Sequence, residues 1–343
     1  MPSAEGHLSV SYSQIKRRYL QSECRREVEY GQFRMGRKLS EILCAAMLAT
    51  LFSSCSATRH VSTEYAPVKT DYVGKGTLET IFCKSSQTGL SERRMFVYLP
   101  ENYYDTDIDY PVLYLLHGAR GTETSWIEKG HIMQNVDMLV SEGKVKPMIV
   151  VMPNCNEYDN DADYAMSRQK PLVESVLEVN GAVETYFVTD VMETVDSLYR
   201  TIRSKHGRAI AGLSVGALQT IFITALNPEL FDYIGLFSPM IKPVFHYGEH
   251  SGFYRDLKRR LTVQFATPPK LYSIMAGKWD IFFASTEQFN FYLKTHDYPH
   301  EYYMSGGGHN WRNWEKYSVR FIQRLWNIPK IGDEEKDGMQ GAR

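Results

Sequence analysis

Ala209-Ile210-Ala211-Gly212-Leu213-Ser214-Val215-Gly216-Ala217-Leu218 is an apolar run that breaks at a serine set between two glycines and then resumes with helical spacing. Ala209 to Leu213 predicts a buried strand and Val215 to Ala225 a helix, so Ser214 stands on the sharp turn between them. Side chains two positions to either side of that serine would collide with the neighbouring strand and helix, which is a steric reason for both Gly212 and Gly216. The turn is tight enough to force the serine into a strained conformation that exposes its hydroxyl. Ser-x-Gly segments are common, and an ordinary strand-to-helix turn is the plain alternative. The flanking strand and helix favour a nucleophile elbow.

Outward from this turn, short β-branched or aromatic runs alternate with longer stretches of helical period. That alternation predicts an α/β domain with a mostly parallel sheet. Strands are expected at Glu79 to Cys83, Arg93 to Leu99, Pro111 to Leu116, Pro147 to Met152, Ala209 to Leu213, Tyr233 to Phe237, Leu271 to Met275 and Glu301 to Met304. Helices are expected at Ile132 to Leu139, Phe187 to Ile202, Val215 to Ala225, Thr286 to Thr295 and Trp314 to Trp326. Asn154 to Thr185, with Pro171 and Gly181, is too long for a simple connection. It reads either as a loop that shapes a binding site or as a surface insertion.

A serine hydroxyl is a weak nucleophile at neutral pH, so the elbow needs a base and an acid to orient it, in the chain order Ser, Asp, His. Asp280 follows the strand Leu271 to Met275 through Ala276-Gly277-Lys278-Trp279, at the C-terminal edge where such sheets gather ligands. His309 lies in Ser305-Gly306-Gly307-Gly308-His309, read as a flexible loop after the last strand. His296 and His300 precede that strand and fall at its far end, and His117 is expected to brace a loop by hydrogen bonding. Glu287 and Asp297 are the rivals to Asp280. The backbone N–H groups of Ala119 and Val215 are placed to receive an oxyanion. Trp126, Trp311 and Trp314 are candidates to stack on a sugar or aryl ring, with core packing as the alternative.

Tyr110-Pro111-Val112-Leu113-Tyr114-Leu115-Leu116-His117-Gly118, Trp126, Arg208-Ala209-Ile210-Ala211-Gly212-Leu213-Ser214 and Gly308-His309-Asn310-Trp311 together resemble the esterase D-like family, and within it carbohydrate esterase family 1. The resemblance covers about residues 77 to 328. It implies an α/β-hydrolase fold, with about eight strands in a mostly parallel sheet flanked by helices. It also implies Ser214, Asp280 and His309 as a triad, with Ala119 and Val215 at the oxyanion site. Family members cleave feruloyl or acetyl esters of plant polysaccharides, while relatives hydrolyse siderophore lactones or S-formylglutathione, or transfer mycolyl groups. Ala217 stands where many relatives have a further glycine, and the 154–185 insertion is longer than a typical connection, which leaves substrate size open.

The N-terminal region reads differently. Arg37 and Lys38 precede an apolar run, Ile42 to Phe52, which is too short to span a bilayer and reads as a signal peptide, with a buried helix as the alternative. Phe52-Ser53-Ser54-Cys55 resembles the lipobox of bacterial lipoproteins with Phe in place of the usual Leu, which implies cleavage before Cys55 and its lipidation. The expected organisation is an upstream extension at 1–34, a signal peptide at 35–54, a tether at 55–70, the catalytic domain at 71–330 and a charged, disordered tail at 331–343. On this reading the protein sits in the bacterial cell envelope, lipid-anchored or secreted, and meets the membrane only through its anchor. The competing picture is a cytosolic protein with a helical arm from Tyr12 to Tyr30.

Thirty-nine basic residues against 40 acidic ones, with no long basic run, argue against a nucleic-acid partner. No CxxC pair is present for a thiolate zinc site. Asp159, Asp161 and Asp163 alternate as in a calcium loop, but Tyr164 and Lys170 stand where Gly and Glu are needed, so an EF-hand is excluded and only a looser calcium site stays open. Gly74-Lys75-Gly76-Thr77 lacks the spacing of a phosphate-binding loop. No metal or other cofactor is expected. The expected partner is a small-molecule or glycan ester, hydrolysed through an acyl-enzyme. The alternatives are an acyltransferase or a siderophore-lactone esterase of the same family, and a non-catalytic glycan-binding surface protein.

Overall fold

The order of strands across the sheet determines which loops meet, and that order was obtained from a computed structural model, which describes residues 68–84, 92–156, 181–241 and 256–326. The eight strands are β1 (Thr77–Cys83), β2 (Arg93–Leu99), β3 (Val112–Leu116), β4 (Ile149–Pro153), β5 (Arg208–Leu213), β6 (Tyr233–Phe237), β7 (Leu271–Gly277) and β8 (Glu301–Ser305), in the order β1-β2-β4-β3-β5-β6-β7-β8. The β1–β2 and β2–β4 pairs are antiparallel, and from β4 to β8 every pair is parallel. This is the α/β-hydrolase arrangement expected from the sequence, and each expected strand lies within two residues of its observed bounds.

The central strands are buried on both faces, as parallel strands covered by crossover helices must be. Side chains at alternate positions of β3 go to opposite layers. Val112, Tyr114 and Leu116 pack with α3 (Ala182–Tyr186), α5 (Val215–Leu226), α6 (Leu257–Ala266) and α7 (Phe283–Thr295). Leu113 and Leu115 pack with α1 (Ser125–Glu128), α2 (Ile132–Ser141) and α8 (Trp311–Ile322). The outer strand β8 is only partly covered, and Tyr303 and Met304 are exposed there.

The helix expected at Phe187 to Ile202 is displaced. It opens at Gly181, runs through α3, continues as a π-helical turn at Phe187–Val191 and ends as α4 (Met192–Leu198). Phe187, Val191 and Val195, which carried the helical periodicity, are fully buried. The end comes early because the following backbone is claimed by another element: Tyr110 N–H donates to Arg200 O at 2.9 Å and Ile202 N–H donates to Tyr110 O at 2.9 Å. Helix α8 starts at Trp311, three residues before the expected start, because the Asn310 side chain caps it by accepting from Asn313 N–H at 3.2 Å. Helix α7 likewise begins early, at Phe283. Helix α6 lies outside the sequence reading, although Leu257, Leu261 and Phe265 form a buried i, i+4, i+8 stripe amid charged neighbours.

The segment leading into β1 is held by one buried carboxylate. Asp137 Oδ2 on α2 accepts from Tyr72 Oη at 2.9 Å, Lys75 N–H at 2.8 Å and Tyr98 Oη at 2.6 Å. The signal peptide, Cys55, the Tyr12 to Tyr30 arm, the C-terminal tail and residues 157–180 of the insertion lie outside the described residues. Replacing Asp137 with Ala leaves the Tyr98 hydroxyl and the Lys75 amide without their acceptor. Urea unfolding of D137A is expected to show a loss of about 2–4 kcal/mol, and an unchanged midpoint would contradict the role given to this carboxylate.

Candidate active site

At the end of β5 the chain turns through Ser214 with φ 56° and ψ −115°, a region that non-glycine residues seldom occupy. The conformation is fixed from both sides, since Ser214 N–H donates to Phe237 O at 2.9 Å and Met240 N–H donates to Ser214 O at 3.3 Å. The glycines permit the close approach that the turn demands. A Cβ on Gly212 would lie 2.2 Å from Gly216 O, and a Cβ on Gly216 would lie 2.3 Å from His117 O.

Ser214 Oγ is 3.0 Å from His309 Nε2, and His309 Nδ1 is 3.0 Å from each carboxylate oxygen of Asp280. A carboxylate only accepts, so Nδ1 carries the proton and Nε2 presents its lone pair to the serine hydroxyl. Burial alone would raise the Asp280 carboxyl, but hydrogen bonds from His309, from Phe282 N–H and from Ser238 outweigh it and hold the group below its ordinary value. The His309 ring is gripped edge-on between Phe282, with centroids 5.1 Å apart, and Trp314, at 4.8 Å.

The loop expected to be flexible is instead stitched to the acid loop and to α8. Lys278 N–H donates to Ser305 O at 2.8 Å, Trp279 N–H donates to Gly307 O at 2.9 Å, and Asn313 Nδ2 donates to Gly308 O at 2.9 Å. Gly307 has φ 84°, which is why a glycine is needed there.

The loop after β3 brings Gly118 against the elbow, with Ala119 next in the chain. A Cβ on Gly118 would sit 3.2 Å from Ser214 Cβ, so the backbone of Gly118 lies beside the serine, while Val215 opens α5 directly after it. Three anchors hold this loop. Arg94 pairs with buried Glu123 at 2.6 Å, Asn154 Nδ2 donates to Glu123 at 2.9 Å, and Asn156 Nδ2 donates to Gly121 O at 2.9 Å.

Residues 86–324 match the family described as Putative esterase. The chain belongs to this esterase family.

The endo-1,4-β-xylanase/feruloyl esterase of Xylanibacter ruminicola is 34% identical over 170 residues, covering 48% of this chain and 22% of that protein. Endo-1,4-β-xylanase Y of Acetivibrio thermocellus is 27% identical over 183 residues, covering 52% of this chain and 16% of that protein. The matches thus span about a fifth of these relatives' lengths. Among solved structures, a ferulic acid esterase of carbohydrate esterase family 1 from Anaeromyces mucronatus is 23% identical with a TM-score of 0.58, covering 75% of this chain and 93% of that one. An S-formylglutathione hydrolase from Staphylococcus aureus is 21% identical with a TM-score of 0.53, covering 74% and 98%. At these identities the likeness concerns the fold.

Three other histidines of this esterase family member have separate tasks. His296 is exposed and bonded to Tyr292 O, and His300 contacts Asn290, both at the end of β8 away from Ser214. Glu287 is taken up by the Tyr302 hydroxyl. His117 accepts from Cys155 N–H at Nε2, 2.9 Å away, and its Nδ1 lies 2.9 Å from Gly118 O, so the neutral Nδ1–H tautomer satisfies both contacts. It braces the loop as expected.

Trp126 is not a stacking platform. It is 1% exposed, donates Nε1–H to Leu116 O at 3.2 Å and packs edge-on against Phe237 and Trp311. The indole fills the space between sheet and helices, so neither face is open to a sugar. Trp311 remains partly exposed. The open indole is Trp279, 75% exposed beside the buried Asp280, with Ile281 also exposed. Sequence reasoning assigned no role to Trp279 or Ser238. Among the described residues, no cluster of three His, Cys, Asp or Glu is placed to hold a metal ion, and Asp159, Asp161 and Asp163 lie outside them.

Burial lowers the His117 pKa from 6.5 to about 4. Because the folded value is the depressed one, its stabilising effect is complete above about pH 6.5 and lost as the pH falls toward 4, a change of about 3 kcal/mol. H117Q keeps an acceptor for Cys155 N–H without a titrating group. Urea unfolding between pH 7 and pH 4 is expected to show a smaller loss for H117Q than for the parent. Equal losses would contradict this role.

Proposed function

We propose that the protein is a serine carboxylesterase that removes feruloyl or acetyl groups from plant polysaccharide, or from related small esters, through an acyl-enzyme. The observation that carries this reading is the unbroken hydrogen-bonded chain Ser214–His309–Asp280, with distances of 3.0 Å, assembled on a strained turn.

His309 Nε2 takes the proton of Ser214 as Oγ bonds to the ester carbonyl carbon, and the resulting imidazolium is stabilised by Asp280. The carbonyl oxygen becomes an oxyanion that accepts from the N–H groups of Ala119 and Val215. His309 then gives its proton to the departing alcohol oxygen as the carbon–oxygen bond breaks, leaving the acyl group on Ser214. In the second half, His309 takes a proton from water, whose oxygen attacks the acyl carbon. Collapse of that intermediate breaks the bond to Oγ and returns the proton to Ser214.

The feruloyl esterase name of the Xylanibacter ruminicola relative supports the choice of acyl group. The exposed Trp279 in the acid loop supports a sugar on the alcohol side, where an indole face stacks on a pyranose ring. Lipidation at Cys55 and residence in the cell envelope would place the enzyme where polysaccharide fragments are met.

Hydrolysis of methyl ferulate and of an aryl acetate by the protein and by S214A tests the proposal. The expected result is turnover that falls by more than about 10³-fold in S214A, with the ratio of the two rates giving the acyl preference. Turnover of neither ester by the folded protein, or full activity in S214A, would contradict it. Release of transferred product instead of free acid when an alcohol acceptor is added would mark an acyltransferase.

A further inference from the structure

The three segments that bear the triad meet at one residue that has no part in the chemistry described above. Ser238 follows β6, and its neighbour Phe237 accepts from the Ser214 amide at 2.9 Å. Its own amide donates to Met275 O at 2.7 Å, on the strand that leads to Asp280. Its hydroxyl accepts from Trp314 Nε1 at 3.1 Å, on the helix that follows His309 and whose indole packs edge-on against the His309 ring. The indole N–H occupies a lone pair of the hydroxyl and leaves its O–H proton to donate, and Ser238 is also among the groups that hold the Asp280 carboxyl below its ordinary value.

The setting is costly. Ser238 is fully buried, adopts φ 50° and precedes Pro239, a combination of backbone constraints that glycine would satisfy with less strain. A side chain kept at such a position points to a task for its hydroxyl. We infer that Ser238 is a positioning residue of the triad: it ties the Trp314 indole, which packs on the His309 ring, to the backbone that holds Ser214 and leads to Asp280, and so fixes the ring of His309 between them. This rests on the esterase reading for its kinetic consequence, but not for its geometry.

The backbone suggests the decisive variant, because S238G suits φ 50° and removes only the hydroxymethyl group. The expected result is a thermal midpoint equal to or above that of the parent, kcat lower by about tenfold, the order for losing one buried hydrogen bond, and KM unchanged. W314F, which keeps an aromatic ring but removes the donor, is expected to lower kcat in the same direction.

The proton NMR resonance of His309 Nδ1–H in the free protein gives a readout that needs no substrate, and it is expected to shift in S238G. An unshifted resonance, an unchanged kcat, or a fall in kcat that merely follows a fall in thermal midpoint would overturn the inference. S214A, run alongside, separates the two claims. If S214A abolishes hydrolysis while S238G matches the parent, only the role of Ser238 falls. If S214A stays active, the esterase reading falls and the resonance alone judges Ser238.

Discussion

Ser214 is held at φ 56° by the sheet beneath it and the helix beyond it, and almost every local choice nearby follows from that constraint. Such a backbone costs on the order of 1–3 kcal/mol and persists only where its surroundings over-determine it. Here the surroundings are the amide bond to Phe237, the bond from Met240 and two glycines whose replacement would bring a Cβ within 2.3 Å of neighbouring backbone oxygens. In return, the turn aims Oγ at His309 Nε2.

The partners of Ser214 are held by the same means, backbone hydrogen bonds between loops that leave adjacent strands. The acid loop after β7 and the histidine loop after β8 are joined by Lys278 to Ser305 and Trp279 to Gly307. The loop after β3 is tied to β2 and to the end of β4 by Arg94, Glu123 and Asn154. Buried His117 ties it also to Cys155. The parallel run from β4 to β8 puts the C-terminal ends of β3, β5, β7 and β8 on one edge, and a site assembled there inherits the rigidity of the sheet.

What the sequence made legible follows from how local each signal is. Buried parallel strands write themselves as short apolar runs, and the glycines around Ser214 report a steric demand within five residues. Asp280 and His309 were found because each ends or follows such a strand. The end of the helix near Leu198 was missed because it is set by Tyr110, about ninety residues away, pairing with Arg200 and Ile202. Trp126 stays between ligand platform and core packing in the sequence, because composition cannot tell a buried indole from an open one. Ser238 left no trace in sequence, since its meaning lies in φ 50° and in a bond to Trp314, 76 positions further on.

The central claim is that Ser214 carries the acyl group. It is tested most directly by rapid acid quench of the protein with an aryl ester, followed by mass spectrometry of its peptides. The account predicts a mass increase equal to one acyl group on the peptide that contains Ser214, accumulating in a burst with the aryl alcohol. Steady turnover with the adduct on another residue, or with no adduct at any quench time, would contradict it.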